Sequence, residues 1–225
     1  MAIVKKYLVE VADISNPLEG LYTVSFSSEK GFRYLPGQFL HLALDEFDGT
    51  GQWPDSRCFS MQSSPAEKNL RISYAVKGDF TKRMEKELTV GKSVWLKLAY
   101  GDIFQRGVQK ENSVFIAGGT GITPFLSLFK DESFKEYQNP RIYLGFRSEK
   151  HNIYSEDLRK CTNNSVVINF MYQNEGGLID IDKIFLENGA ATYFISGPPQ
   201  MLKNFRNWLI HHGVPEFNVI TDDWE

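Results

Sequence analysis

The sequence predicts two domains, an antiparallel β-barrel followed by an α/β domain with a doubly wound parallel sheet. Short apolar stretches divided by turn-forming residues make up the first half, and strand-like and helix-like stretches alternate in the second. A chain of 225 residues is long enough for two small domains, each with its own core. We expect the barrel over residues 1–108 and the α/β domain over residues 109–225, because apolar periodicity is lost near 107–112.

The first half is interpreted as six strands and one helix. Turn-forming pairs such as Asn16-Pro17 separate the apolar stretches. Phe80, Met84 and Leu88 recur every four residues, which places them on one face of a helix. Short strands at this spacing are typical of a small antiparallel barrel. The predicted strands are 6–14, 21–28, 38–44, 57–64, 70–78 and 93–100, and the predicted helix is 79–88.

The second half alternates between apolar strands and amphipathic helices. Such alternation indicates βαβ units, whose strands run parallel in one sheet. The predicted strands are 113–118, 141–148, 165–172, 191–197 and 217–224. The predicted helices are 123–133, 153–161, 179–189 and 198–213.

Composition excludes several classes of function. The formal net charge of -3 gives no basic surface, so we expect no nucleic-acid partner. Two cysteines, Cys58 and Cys161, cannot build a cysteine-only metal or iron–sulfur site, and we predict no metal. Nor do they suggest a disulfide scaffold, which favours a reducing, cytoplasmic location. No stretch approaches the roughly 20 apolar residues that span a bilayer, and the N-terminus lacks the apolar core of a signal peptide.

Two glycine turns in the second half indicate a ligand site. Gly118 to Gly121 follow the first predicted strand, and Thr123 and Pro124 are suited to cap and begin the next helix. Such a turn lets a phosphate approach the backbone, although it is also compatible with a strand–helix connection that binds nothing. Gly197 ends another strand before Pro198. Two such turns at strand ends of one sheet favour an extended ligand lying across both.

The end of the second strand in this half bears on cofactor choice. NAD-selective sheets commonly place an acidic residue there, against the ribose hydroxyls. Here Arg147 and Ser148 occupy that end, and the first carboxylate is Glu149. A guanidinium and a hydroxyl favour a 2′-phosphate, and hence NADPH, unless Arg147 is only a solvated surface residue.

The first half contains a second candidate anion site. Arg57 and Ser60 lie on one predicted strand, on opposite faces unless the strand twists or bulges. Farther on, a strand runs through Gly78 into a helix whose N-terminus is suited to an anion. Asp79 opposes this interpretation, since as the cap it would occupy the same amides and repel a phosphate. A capped helix across the barrel mouth, with no ligand, is the alternative.

Four motifs in order carry a family resemblance. They are R-x-[YF]-S at 57–60, G-x-x-T at 78–81, G-G-x-G-I-T-P at 118–124 and G-P-P-x-M at 197–201. In this order and at this spacing the chain resembles the ferredoxin–NADP reductase superfamily of flavoprotein reductases, over essentially its whole length. The resemblance implies that the barrel binds a flavin and that the α/β domain binds NAD(P).

The resemblance also implies roles for particular residues. Ser60, near flavin N5, and Ser196, near the nicotinamide, would be the catalytic positions. The flavin would contact Arg57, Phe59, Ser60, Tyr74, Val76, Lys77, Gly78, Thr81 and Trp224. The nicotinamide dinucleotide would contact Gly119, Thr120, Gly121, Thr123, Arg147, Ser148, Tyr154, Gly197 and Pro198.

Three positions depart from the family pattern. Phe59 stands where tyrosine is usual, so one hydroxyl contact to the flavin is lost. Ser196 replaces a cysteine that often precedes G-P-P, which removes a thiol near the nicotinamide and puts the rate of hydride transfer in question. Asp79 is unusual beside a phosphate, and it either favours FMN over FAD or points away from the site.

The function implied is a flavin-dependent NAD(P)H oxidoreductase. Hydride would pass from NADPH or NADH to FAD, and electrons would leave to a separate acceptor such as ferredoxin, flavodoxin or an oxygenase component. The alternatives are the reductase component of a multicomponent oxygenase, a free flavin reductase that binds flavin as a substrate, and a non-catalytic docking subunit. The complete glycine turn, together with Arg57 and Ser60, argues against the docking subunit.

Overall fold

The computed structural model describes residues 4–161 and 166–222, and its first half is a nearly closed antiparallel barrel. The barrel strands are β1 (Lys5–Leu18), β2 (Leu21–Ser27), β3 (Phe39–Ala43), β4 (Ser56–Ser60), β5 (Leu70–Ala75) and β6 (Ser93–Tyr100), and helix α1 (Asp79–Glu87) lies between β5 and β6. Their order in the sheet is β4-β3-β6-β1-β2-β5. The Gln62 amide donates to the Arg71 carbonyl at 2.7 Å, which brings the two end strands together.

The second half is a five-stranded parallel sheet flanked by helices. Its elements are β7 (Ser113–Gly118), α2 (Thr123–Phe129), β8 (Arg141–Phe146), α3 (Ser155–Cys161), β9 (Val167–Tyr172), α4 (Gln173–Gly176), α5 (Ile181–Asn188), β10 (Thr192–Ser196), α6 (Pro199–His211) and β11 (Val219–Thr221). The sheet order is β11-β10-β7-β8-β9. The order reverses between β7 and β10, and open α/β sheets bind ligands at such a switch point. The two-domain fold class predicted from the sequence is therefore confirmed.

Each sheet has its own hydrophobic core. Leu40, Leu42 and Met61 are fully buried in the barrel. Ile103 and Phe104 follow the last barrel strand, and they pack in a core of the second sheet. Residues 103–104 thus contribute to the second core although they lie before the predicted boundary at 108, and the boundary itself stays a prediction.

Several elements differ from the sequence prediction. Helix α2 ends at Phe129, four residues before the predicted end, because the Asp131 side chain accepts from the Ser133 amide at 3.0 Å and starts a short 3-10 helix. Helix α4 had no strong periodicity and was not predicted. Strand β11 has three residues, fewer than predicted. In the described part of the chain, no helix combines the length and apolar character needed to cross a bilayer.

Candidate active site

The two predicted glycine turns lie against each other at the carboxyl edge of the parallel sheet. Ser196 pairs with Ala117 at the ends of β10 and β7, so the turns that follow are neighbours. A Cβ added at Gly121 would lie 2.6 Å from the backbone nitrogen and Cα of Gly197. Gly197 has a φ of 152°, which side-chain-bearing residues rarely adopt. This contact needs glycine at both positions and packs the two turns together, and we call the paired turns the glycine crevice.

The first turn is shaped by its own hydrogen bonds. Gly119 has a φ of 56° and is exposed, as a turn open to a ligand requires. The buried Thr123 hydroxyl donates to the Thr120 carbonyl at 2.9 Å. Ile122 is the N-cap of α2, so the expectation that Thr123 caps this helix is wrong. Thr123 is the first helical residue, and its buried hydroxyl stabilises the turn through this hydrogen bond.

The two predicted catalytic serines meet at a carboxylate. The Ser196 hydroxyl donates to Asp222 Oδ2 at 3.0 Å, and the Ser60 hydroxyl donates to the same oxygen at 3.4 Å. Asp222 follows β11, and its amide donates to the Ile195 carbonyl at 2.9 Å, which fixes it beside β10. A group from each domain therefore converges on one oxygen. Asp222 was not predicted as a site residue, because it lay inside the predicted strand 217–224, whereas in the structure it directly follows the shorter β11.

Arg57 lies beside the N-terminus of α1. Its guanidinium carbon is 5.2 Å from the ring centroid of Phe80, the second residue of that helix. It pairs with Asp55 at 2.6 Å, and its side chain is 55% exposed. Among the described residues, no atom lies within 4 Å of a Cβ built on Gly78, the N-cap. An exposed cation paired with Asp55 therefore lies next to an open helix start, and this arrangement suits a phosphate.

The residues around the start of α1 differ from the expectation in one respect. The expectation that Asp79 is the cap is wrong, because Gly78 is the cap and the Asp79 side chain is fully exposed, 3.5 Å from Lys82. Thr81 Oγ1 accepts from the amides of Lys77 and Gly78 at 2.9 and 3.1 Å. Two amides of this turn are thus already satisfied by a side chain. A phosphate here would depend more on Arg57 than on the backbone.

Two of the predicted flavin contacts, Phe59 and Tyr74, are packed inside the barrel. Phe59 is 7% exposed and lies edge-on to Tyr74, with ring centroids 6.2 Å apart. Tyr74 is also buried and stacks on Tyr22 at 5.3 Å, and burial raises the pKa of its hydroxyl. The Val76 amide donates to Gly20 at 2.8 Å, and Lys77 is exposed. Phe59 and Tyr74 therefore shape the wall of the barrel more than they present a free aromatic face.

The predicted adenosine-ribose residues divide into exposed and buried ones. Arg147 is exposed at the end of β8, and the Ser148 hydroxyl shares a hydrogen bond with His151 Nδ1 at 2.9 Å. Tyr154 is 1% exposed, and its ring stacks on Phe146 at 6.3 Å. Tyr154 therefore supports the core, and a nucleotide could reach it only after a rearrangement. Arg147 and Ser148 stay candidates for the ribose end.

The remaining predictions concern positions away from the crevice. Trp224 lies outside the described residues. Across residues 4–161 and 166–222, no cluster of three or more histidine, cysteine, aspartate or glutamate side chains could hold a metal ion. Cys58 and Cys161 are both free thiols. Cys58 lies on β4, with its sulfur 3.6 Å from His41 Nε2, so it does not replace the cysteine that is absent at Ser196.

Comparison with known proteins matches the second domain to an enzyme family. Residues 115–207 match the oxidoreductase NAD-binding domain. The anthranilate 1,2-dioxygenase electron transfer component of Acinetobacter baylyi is 24% identical over 209 residues, which are 86% of this chain and 59% of that protein. The reductase component of phenol 2-monooxygenase from Pseudomonas sp. is 32% identical over 124 residues, which are 54% of this chain and 33% of that protein. The chain thus spans only part of the length of these relatives.

A solved structure matches both domains at once. A ferredoxin NADP+ reductase from Neisseria gonorrhoeae with bound FAD and NADP has a TM-score of 0.77 and 18% sequence identity, covering 98% of each chain. This likeness shows the fold. Residues 115–207 therefore match the oxidoreductase NAD-binding domain, and the whole chain has the two-domain fold of a ferredoxin NADP+ reductase, which is the fold expected from the motif resemblance.

Proposed function

We propose that the chain is a flavin-dependent NAD(P)H oxidoreductase that passes electrons to a separate acceptor. The observation that carries this proposal is the convergence of Ser60 and Ser196, one from each domain, on Asp222 beside the paired glycine turns. Hydride transfer requires two planar rings to meet between the domains, and this contact brings side chains of both domains together beside the glycine turns. The NAD-binding match and the oxygenase reductase relatives support the same reaction class.

The groups of the barrel fit a flavin with a phosphate tail. Arg57 and the open N-terminus of α1 would hold the phosphates, and Ser60 would lie at the ring. FAD is proposed over FMN because the Neisseria structure, which matches over nearly its whole length, contains FAD and NADP. The Asp79 side chain is fully exposed and lies 3.5 Å from Lys82, which weakens the argument for FMN.

The groups of the second domain fit a nicotinamide dinucleotide. The pyrophosphate would lie across the turns at Gly119 and Gly197, close to the backbone amides. Arg147 and Ser148 would contact the adenosine ribose and favour NADPH over NADH. Glu149, next in the chain, opposes the 2′-phosphate, so we expect a preference and not an absolute selection.

A bound flavin supplies the chemistry that links a two-electron hydride donor to release of electrons singly or in pairs. The protein side chains have orienting roles. Each serine hydroxyl carries a single proton, and the Ser60 and Ser196 protons are both donated to Asp222. Each serine oxygen is left as an acceptor, able to receive a hydrogen bond from an N–H group of a ring or a carboxamide. The fixed carboxylate thereby orients both hydroxyls before the rings bind.

The acceptor is proposed to be a protein, namely ferredoxin, flavodoxin or an oxygenase component. Support comes from relatives named as electron transfer or reductase components of oxygenases. Their greater length means that their further domains, and their partners, do not transfer directly to this chain. A cytoplasmic location is part of the proposal, supported by the two free thiols.

Anaerobic titration tests the proposal. Protein purified with its flavin, or loaded with FAD, is mixed with NADPH and separately with NADH, and absorbance is followed at about 450 nm. We expect bleaching with NADPH faster than with NADH. A protein that takes up no FAD contradicts the proposal. A protein that binds FAD but is reduced by neither nucleotide is a docking subunit, and a flavin that separates from the protein on gel filtration indicates a free flavin reductase.

A further inference from the structure

The domains make a second polar contact at the other end of helix α2, away from the glycine crevice. We call it the interdomain polar cluster. Its members are Gln62, Ser63 and Arg71 from the barrel, and Ser127, Lys130 and Asp157 from the second domain. None of them is among the predicted flavin or nucleotide contacts. The cluster nevertheless joins the two segments that the reaction has to align.

One part of the cluster connects these segments directly. The Ser127 hydroxyl donates to the Ser63 carbonyl at 2.7 Å, and both residues are fully buried. Ser63 lies three residues after Ser60, and Ser127 lies six residues after Gly121. The three residues that follow β4 and the single helix α2 therefore connect the flavin-side serine to the nucleotide turn.

Asp157 on helix α3 strengthens this connection with charge. Its Oδ2 accepts from Gln62 Nε2 at 3.0 Å and lies 3.1 Å from Lys130 Nζ, and its Oδ1 is 3.8 Å from Arg71. Burial tends to raise the pKa of this carboxyl, but Lys130, Arg71 and the Gln62 hydrogen bond lower it below its usual value overall. Asp157 is therefore charged at neutral pH, and it forms polar contacts with residues of both domains.

Gln62 is held in one orientation. The Ser73 hydroxyl donates to Gln62 Oε1 at 2.5 Å, so the amide nitrogen must face Asp157. The Gln62 backbone amide also donates to the Arg71 carbonyl at 2.7 Å. Gln62 is 2% exposed, and water cannot easily replace these bonds. A movement of Asp157 would therefore shift the chain two residues from Ser60.

We propose that Asp157 is a positioning residue for hydride transfer: through Gln62 and Lys130 it sets the distance between the nucleotide turn at the start of α2 and Ser60. The inference rests on the proposed function. All seven residues of helix α2 are buried, and Lys130 is its C-cap, so we expect a shift at Lys130 to be passed to the turn at the start of the helix. A misplacement of about 1 Å at reacting atoms can lower a rate by roughly 100-fold.

The test compares three variants of the FAD-loaded protein. Asp157→Ala removes the contact, and Asp157→Asn keeps an oxygen that can accept from Gln62. Glu156→Gln is the matched control, since it removes a charge from the neighbouring exposed residue of the same helix. Stopped-flow reduction at saturating NADPH gives the limiting rate and the nucleotide Kd. Amide hydrogen exchange of residues 60–63 and 119–123 reports position and order independently of activity.

We expect Asp157→Ala to lower the limiting rate about tenfold or more, with little change in flavin retention. Exchange should rise in both segments, Asp157→Asn should recover part of both effects, and Glu156→Gln should resemble the wild type. An unchanged limiting rate in folded Asp157→Ala, or faster exchange confined to α3, overturns the inference. If Asp157→Ala does not fold, the double variant Asp157→Ala/Lys130→Met removes both charges and is measured in the same way.

The two proposals fail in different ways. A wild-type protein that neither nucleotide reduces contradicts the proposed function. Amide hydrogen exchange of the variants then still shows whether Asp157 orders residues 60–63 and 119–123, because that measurement needs no turnover. A wild-type protein that is reduced normally, with variants that match it in rate and exchange, contradicts only the positioning role of Asp157.

Discussion

The glycine crevice, where we propose that the nucleotide binds, is built from backbone, whereas the proposed flavin end of the barrel is built from side chains. In the crevice, Gly121 and Gly197 are in direct contact, with no space for a Cβ. At the barrel mouth, Arg57 is exposed, Gly78 has open space, and Thr81 already satisfies two amides. Where backbone atoms form a site, a single added side chain distorts the whole site. Where side chains form it, each substitution removes only part of the binding free energy. The two ends should therefore respond very differently to mutation.

The largest effect is expected at Gly121. In Gly121→Val, side-chain atoms would be forced into the backbone of Gly197, and the two turns would separate. We expect the KM for NADPH to rise, or the reduction rate to fall, by roughly 100-fold, while flavin content is retained. Gly176→Ala is the control, since that glycine of α4 has no described atom within 4 Å of an added Cβ. Loss of flavin in Gly121→Val, with NADPH binding intact, would mean that the two domains have been assigned the wrong ligands.

Arg57→Ala tests the barrel end. Charge-assisted hydrogen bonds to a phosphate contribute about 1.5–3 kcal/mol, so FAD affinity should fall roughly 10- to 100-fold. NADPH reduction of the protein that stays loaded should change little. Arg106→Ala is matched to it, because Arg106 is another exposed arginine paired with a nearby aspartate, Asp102. Equal loss of flavin affinity in both variants, measured by equilibrium dialysis, would contradict a specific role of Arg57 in binding the flavin phosphate.

Arg147→Ala should have a smaller effect, confined to one nucleotide. The side chain is exposed, so a contact with a 2′-phosphate would be partly screened by solvent. We expect the KM for NADPH to rise by about tenfold, with the KM for NADH unchanged. Steady-state kinetics with both nucleotides measures this ratio. A parallel rise for both would place Arg147 at the shared part of the cofactor, and no change would leave it as a surface residue.

The smallest effect is expected for the contribution of the Asp157 carboxylate to thermal stability at low pH. Its folded pKa lies below its unfolded value of about 3.9, so its contribution to stability is complete above that value and is lost as the pH falls through the folded pKa. The charged groups next to Asp157 are the side chains of Lys130 and Arg71, and Arg71 also forms an ion pair with Glu67. The Tm of the wild type should exceed that of Asp157→Asn by a constant margin near neutral pH, and the margin should shrink below about pH 4. A margin independent of pH would contradict an ionised Asp157.

The sequence predicted most of the elements because their signals are local. Period-two apolar runs and glycine turns at strand ends do not depend on the rest of the fold. Asp222 could not be found in this way, since its partners Ser60 and Ser196 are 162 and 26 residues distant. The burial of Tyr154 was missed for a related reason, because a motif position does not tell which way a ring packs. Asp79 was taken as the cap because aspartate is a common capping residue, but Thr81 supplies the acceptor for the Gly78 amide.

The most direct test of hydride transfer between the domains is stopped-flow reduction of Asp222→Ala. Without the carboxylate, the two hydroxyls lose their common acceptor, and each is free to rotate. At saturating NADPH, we expect the limiting rate of flavin reduction to fall by about tenfold or more, with the Kd for NADPH and the bound FAD nearly unchanged. A limiting rate equal to that of the wild type would show that the Ser60–Asp222–Ser196 contact is not where the two cofactors meet.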